Sequence, residues 1–241
     1  MKMKIKRVLS AVVAMTILLG MGFNVYAEEK DNMVNCQAPD YYTEEYQREI
    51  RELQERVNIE VGKSGVLRSG YTKNLPVPID QQVGHSNCGA ASGRMVLKYK
   101  TGVDHGENTL ANAMEIPQYG SAYVYRVTNV LNSYLGANSY KYVTTHQINF
   151  GPGLFYSINA DKPVICHVKA GILPNYNGAS NPGHYVVAKG YSQNSQGLEG
   201  ASTVTYHDPH YDNRFFGTYT ADVNLMQQAI RNNADYYIMA N

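Results

Sequence analysis

The apolar periodicity of this chain switches from helical to strand spacing near residue 160, and that switch limits the fold more than any other feature. Before it, apolar residues recur at helical spacing. Cys88, Ala91, Ser92, Met95, Val96 and Tyr99 form one continuous face, which predicts a helix from Asn87 to about Lys100. A shorter helix is expected around Leu110, Ala113 and Met114. Another runs through Val124, Val127, Val130, Leu131, Tyr134 and Leu135 and stops at Gly136, and a further one opens at Pro152. After it, KPVICHV (162–168), HYVVAKGY (184–191), STVTYHD (202–208) and RFFGTYT (214–220) read as strands rich in β-branched and aromatic residues. A helix through Val223, Met226, Gln227 and Ile230 and a strand DYYIM close the chain. Helices first and strands afterwards predict an α+β fold, not alternating βαβ units.

The first 27 residues read as a cleavable secretory signal. Lys2, Lys4, Lys6 and Arg7 precede the apolar run AVVAMTILLGMGF, which is short for a membrane span. Val25 and Ala27 then frame a small-residue cleavage site. No later stretch is long and apolar enough to cross a bilayer. The expected location is therefore extracellular, with retention at the cell wall left open. Removing four basic residues and no acid takes the formal charge from +1 to −3 over the remaining 214 residues. A chain of that balance is a poor partner for nucleic acid, which favours a basic face.

Three cysteines, Cys36, Cys88 and Cys166, are too few for a disulfide scaffold and odd in number, so at least one thiol is free. Cys36 and Cys166 are read either as a pair or as two inert buried thiols. Residues 28–70 form an N-terminal extension. Within it Tyr42, Tyr46, Ile50, Leu53 and Val57 predict an amphipathic helix over about 40–57, and a glycine- and serine-bearing connector follows from Val61. That helix either folds back over the cleft of the main domain or packs on its far side. The main domain is placed at 71–241.

Cys88 is the residue most able to do chemistry. It opens a helix, where unpaired amides and the positive end of the helix dipole stabilise a thiolate. The plain alternative is a small buried thiol in a core helix. Gly89 is expected to let a substrate approach the backbone. Gln82, six residues upstream, offers a side-chain amide for an oxyanion, with the Cys88 N–H as a second donor, and Gln81 competes with it. Among seven histidines, His184 at the mouth of a strand is best placed as a base. His167 is expected to pack, and His85, His105 and His146 lie in turns and loops. Asp208, ending the next strand before Pro209, is the candidate orienter. A rival reading takes His207, Asp208 and His210 as zinc ligands, without the helical ligand spacing that usually accompanies them.

The stretches LPVPIDQQVGHSNCGAASGRMVLKYKTG, DKPVICHVKAG, GHYVVAKGY and YHDPHY, in that order, resemble cysteine peptidase family 39 over about residues 72–241. The closer likeness is to stand-alone secreted relatives of the double-glycine leader peptidases. The resemblance implies a papain-like fold, with a helical half and an antiparallel sheet half and the active site between them. It implies Cys88 as nucleophile, His184 as base, Asp208 as orienter and Gln82 as oxyanion donor, acting on peptide or protein substrates without metal or cofactor. Ala90 stands where relatives often have proline. The leader peptidases proper are fused to transporters, so their double-glycine specificity is not implied. An acyl transferase and a non-catalytic peptide-binding module remain open on the same fold.

Overall fold

The computed structural model describes residues 43–64, 71–118, 120–179, 183–193 and 202–241. The signal segment, Cys36, most of the connector and residues 180–182 lie outside the described residues. Along the chain run α1 (Glu44–Ser64), β1 (Thr72–Asn74), α2 (Cys88–Thr101), α3 (Glu107–Ala113), α4 (Val124–Leu135), β2 (Tyr140–Thr144) and α5 (Phe150–Asn159). Then come β3 (Val164–Lys169), β4 (Gly183–Ser192), β5 (Thr203–Asp208), β6 (Gly217–Asp222), α6 (Val223–Arg231) and β7 (Tyr236–Ala240). Two 3₁₀ turns, Ala170–Ile172 and Pro174–Tyr176, join β3 to β4.

All seven strands pair antiparallel in one sheet of order β2-β7-β3-β4-β5-β6, with β1 added along β4. The α+β expectation holds, with helices before the main sheet. β1 and β2 are strands beyond those read from the sequence. RFFGTYT becomes a strand only from Gly217, because Asp212–Phe216 closes a turn on the Asp212 carbonyl. Gly190 is required where β1 crosses: a side chain there would meet Asn74 and the Lys73 carbonyl.

α2 is built from small residues because it is buried. Ala90, Ala91 and Ser92 have no exposed surface, which lets the helix lie on β4 and α4. Tyr185 of β4 reaches across and donates its O–H to the Ala122 carbonyl at 2.8 Å, tying the sheet to the loop before α4. Among the described residues, no helix is long and apolar enough to cross a membrane.

α1 starts four residues later and ends seven residues further on than the sequence suggests, so the connector begins beyond Val61. It does not lie over the cleft. Tyr46, Ile50, Leu53 and Val57 are buried, and the helix packs on α5 and the β2 edge. Tyr46 stacks on Tyr142 at 5.2 Å and donates its O–H to the Tyr142 carbonyl. Glu49 pairs with Lys141, and Arg56 reaches Asn241. Burial of Ile50, Leu53 and Val57 is worth about 1.5–3 kcal/mol each, so this helix is part of the core.

Candidate active site

β4 and β5 bring His184 and Asp208 side by side. His184 is the second residue of β4 and Asp208 the last of β5. His184 Nε2 meets Asp208 Oδ1 at 2.8 Å. Cys88, the first residue of α2, lies close enough to that imidazole to favour its charged form. Three of the four residues singled out from the sequence are therefore brought together: thiol, imidazole and carboxylate. Cys88 and His184 are each 4% exposed. They lie with Gln82 in the wall of a pocket of about 440 Å³, between the 82–86 turn and Ser121 on one side and His210–Phe215 on the other.

The electrostatics follow from the partners. Burial on its own lowers the basicity of His184. The Asp208 charge, the Asp208 hydrogen bond and the neighbouring Cys88 outweigh it and raise the imidazole to about 10. Burial also works against the Asp208 charge, yet His184, the Asn175 amide and the His210 N–H hold its pKa below the usual carboxylate range. Asn175 Nδ2 at 3.0 Å and the Tyr176 hydroxyl at 2.9 Å both donate to Oδ2, and the His210 N–H donates to Oδ1 at 2.9 Å.

Gln82 arrives at the site differently from expectation. Its side chain is 4% exposed, and its Nε2 donates to the Gly84 carbonyl at 2.8 Å and the His85 carbonyl at 3.1 Å. Its Oε1 is buried without a partner. The amide that the sequence aims at an oxyanion thus braces the turn leading to Cys88. Gln81 is a loop staple: its amide reaches the carbonyls of His210 and Tyr211 and the Asn213 side chain. Gly89 also departs from expectation. A Cβ there would lie 3.0 Å from Ala122 Cβ and 3.3 Å from the Tyr185 ring, so the glycine serves close packing of α2, not substrate approach.

His85 and His210 also line the pocket, and the remaining histidines contact other parts of the fold. His85 sits edge-on to Tyr211, His105 lies by Tyr134, and His146 is near Asp235. His167 packs as expected, stacked on Tyr185 at 4.4 Å. His207 and Asp208, at successive strand positions, face opposite ways. His207 uses its two nitrogens on the Val77 carbonyl and Thr218 Oγ1, so YHDPHY does not converge on a common point.

Residues 74–238 match the Peptidase_C39 like family. The chain belongs to that family. No curated protein gives a comparable match. Among solved structures, the chain is similar to a double glycine motif protease from an AMS/PCAT transporter, crystallised with its leader peptide. The identity is 16% over 69% of this chain and 92% of that one, with a TM-score of 0.42. It is also similar to the peptidase domain of Streptococcus ComA, a bifunctional ABC transporter of a quorum-sensing pathway, at 16% identity over 68% and 96%, with a TM-score of 0.44.

This Peptidase_C39 like chain supports its site with residues that the sequence did not announce. Glu107, 5% exposed at the start of α3, accepts from the Val83 N–H at 2.9 and 3.0 Å, the Gly84 N–H at 3.1 Å and Asn87 Nδ2 at 2.8 Å. It gathers the donors of the turn whose acceptors Gln82 gathers. Asn87 spends its side chain there and so does not cap α2, which leaves the first-turn amides of that helix uncapped by it. The Gln82 N–H also clasps the Pro209 carbonyl at 2.7 Å, locking the nucleophile turn to the loop after Asp208. A lone glutamate in GEN and the loop PNYNG carry no local signal of these roles.

Proposed function

We propose that this chain is a secreted cysteine peptidase in which Cys88 attacks a peptide carbonyl. The observation that carries this reading is His184 bonded to Asp208 at 2.8 Å with Cys88 beside it in the same pocket wall. The Cys88 sulfur adds to the carbonyl carbon while His184 holds the thiol proton. The C–N bond breaks, and the departing amine takes that proton from His184. The acyl-enzyme is then hydrolysed by a water that gives its proton to His184, and Cys88 is released. Asp208 holds the imidazole in register and stabilises its charged form throughout.

The oxyanion is received by the uncapped first-turn amides of α2, with Gln82 as a side-chain donor. That second contribution requires one Nε2 hydrogen to leave Gly84 or His85 as the substrate binds. Extracellular location rests on the signal-like first 27 residues.

The test is the chain from Glu28 incubated with a mixed peptide pool, with and without added amines, and read by mass spectrometry. Cleavage that disappears in Cys88→Ser and His184→Ala is expected. Amine adducts in place of hydrolysis products would move the reaction to acyl transfer. Undiminished cleavage by Cys88→Ala would remove Cys88 as nucleophile.

A further inference from the structure

Asp208 carries a mechanical problem that β5 does not solve. The strand and Pro209 fix its backbone, but the torsion about Cβ–Cγ is soft and broadly two-fold. A carboxylate free to turn about that bond does not keep Oδ1 on His184 Nε2. The His210 N–H meets Oδ1 itself at 2.9 Å, and what limits the turn further is whatever holds the other oxygen, Oδ2. Two donors do so: the Tyr176 hydroxyl at 2.9 Å and Asn175 Nδ2 at 3.0 Å.

We infer that Tyr176, with Asn175 beside it, is a positioning residue of the Cys88–His184–Asp208 site: its O–H pins Asp208 Oδ2 so that Oδ1 stays in line with His184. This rests on the peptidase reading for its purpose, though not for its geometry. The donor is itself held. Tyr176 is 2% exposed, and its ring stacks on Phe215 at 4.5 Å with 13° between planes. The ring is also edge-on to His184 at 6.2 Å and to His210 at 5.9 Å. Burial and the Asp208 charge push ionisation of the phenol far up, so it remains a donor across the working pH range.

Asn175 is fixed in turn. Tyr206 donates to its Oδ1 at 2.8 Å, and Asn175 Nδ2 also reaches the Phe215 carbonyl at 3.3 Å. Tyr206 lies on β5 two residues before Asp208, so the strand that presents the carboxylate also orients the amide holding it. The 3₁₀ turn Pro174–Tyr176 delivers both donors together. Asn177, at φ 46°, then takes the left-handed conformation that ends the turn.

The decisive variant is Tyr176→Phe, which keeps the ring and its stacking and removes one hydrogen bond. The charged and titratable groups around the pair are Cys88 from α2, His167 from β3, His210 from the loop after β5, and Tyr206 and Tyr219 from β5 and β6. None of them changes in this variant. Two readouts need no peptide substrate. Carbon-13 NMR of the Asp208 carboxyl against pH should show its midpoint rise by roughly one unit, since a donor to the charged form is lost. Alkylation of Cys88 by iodoacetamide at pH 7, in the full chain, should slow several-fold.

On any peptide that is cleaved, kcat should fall about tenfold with KM within about twofold, as expected for a buried hydrogen bond to a charged group. Phe215→Leu, which loosens the stack and leaves the O–H, should leave the Asp208 midpoint in place. If Tyr176→Phe unfolds the chain, Asn175→Ala reads the same midpoint. An unmoved midpoint with unmoved alkylation overturns the inference and leaves Tyr176 as packing. A shifted midpoint in a protein that cleaves nothing overturns the peptidase reading instead.

Discussion

The molecule holds two cysteine–histidine neighbourhoods that have had opposite fates. Cys166 and His167 are consecutive on β3 in the middle of the sheet. Cys88 and His184 meet where the start of α2 faces the start of β4. All four side chains are buried. Yet burial pushes the Cys166 thiol far up, and burial followed by the charge of His184 pushes His167 down to about 3. His184, equally buried, rises to about 10. Strand alternation places Cys166 and His167 on opposite faces, so they cannot act on each other. His167 finds an aromatic face, and its Nδ1 finds no partner. His184 finds a carboxylate. Desolvation acts alike in both places, so it is the partner that separates a histidine held neutral from one held basic.

Asp208→Asn should erase that difference and have the largest effect. It removes the charge that offsets burial, so the His184 midpoint, followed by imidazole NMR, should drop from about 10 to below 6.5. Hydrolysis should fall by roughly three to four orders of magnitude. The stability profile changes with it. A raised His184 stabilises the fold fully below pH 6.5 and loses that contribution as pH rises through about 10. A lowered Asp208 stabilises above pH 3.8 and loses its contribution as pH falls through its folded value. The wild-type pair is therefore at full strength between about pH 4 and 6.5, and Asp208→Asn should flatten melting temperature against pH on both sides. A midpoint that stays near 10 in the variant would assign the raised basicity to Cys88 instead.

The same contrast shows what the sequence could disclose. That Cys88, His184 and Asp208 come together was legible because each sits at the end of an element whose period is visible, and strand and helix ends are where such side chains meet. Distinguishing His184 from His167 was also possible, since one opens its strand and the other lies inside it. The supports were not legible. Glu107, Asn175 and Tyr176 act through contacts between residues 20 to 33 positions apart, from the start of a short helix and from a 3₁₀ turn, where no local period points to them. Gln82 was found but its orientation was not, because which carbonyls a side-chain amide meets depends on how the 83–87 turn folds. The amphipathic face of α1 was evident, but a helix face does not say which surface it covers.

Gln82→Ala probes the helical side of the active neighbourhood, and its expected effect is smaller. Turnover should fall by roughly a hundredfold, the usual consequence of losing one oxyanion donor. Alkylation of Cys88 should change little, since Glu107 still holds the Val83 and Gly84 amides and Asn87. Parallel losses in turnover and alkylation would mean that Gln82 acts by bracing the turn alone. Gln81→Ala, which loosens the His210–Asn213 loop, should not reproduce the turnover loss at constant alkylation.

The smallest effects belong to the silent neighbourhood, and they test whether it is silent. In the folded chain iodoacetamide at pH 7 should modify Cys88 and leave Cys166 unlabelled until denaturant is added. A thiol with no exposed surface, pushed up by burial, offers the reagent neither access nor thiolate. Cys166→Ala should cost about 1 kcal/mol of stability, as a small core truncation does, and leave kcat/KM within about twofold. His167→Phe is the sharper variant. It keeps an aromatic ring for Tyr185 and removes the nitrogen that lacks a partner, so stability should hold or rise slightly. His167 also lies close enough to His184 to feel its charge. A fall in kcat/KM of tenfold or more in His167→Phe, with melting temperature unchanged, would show that the two neighbourhoods are coupled and that the packed histidine helps set the working one.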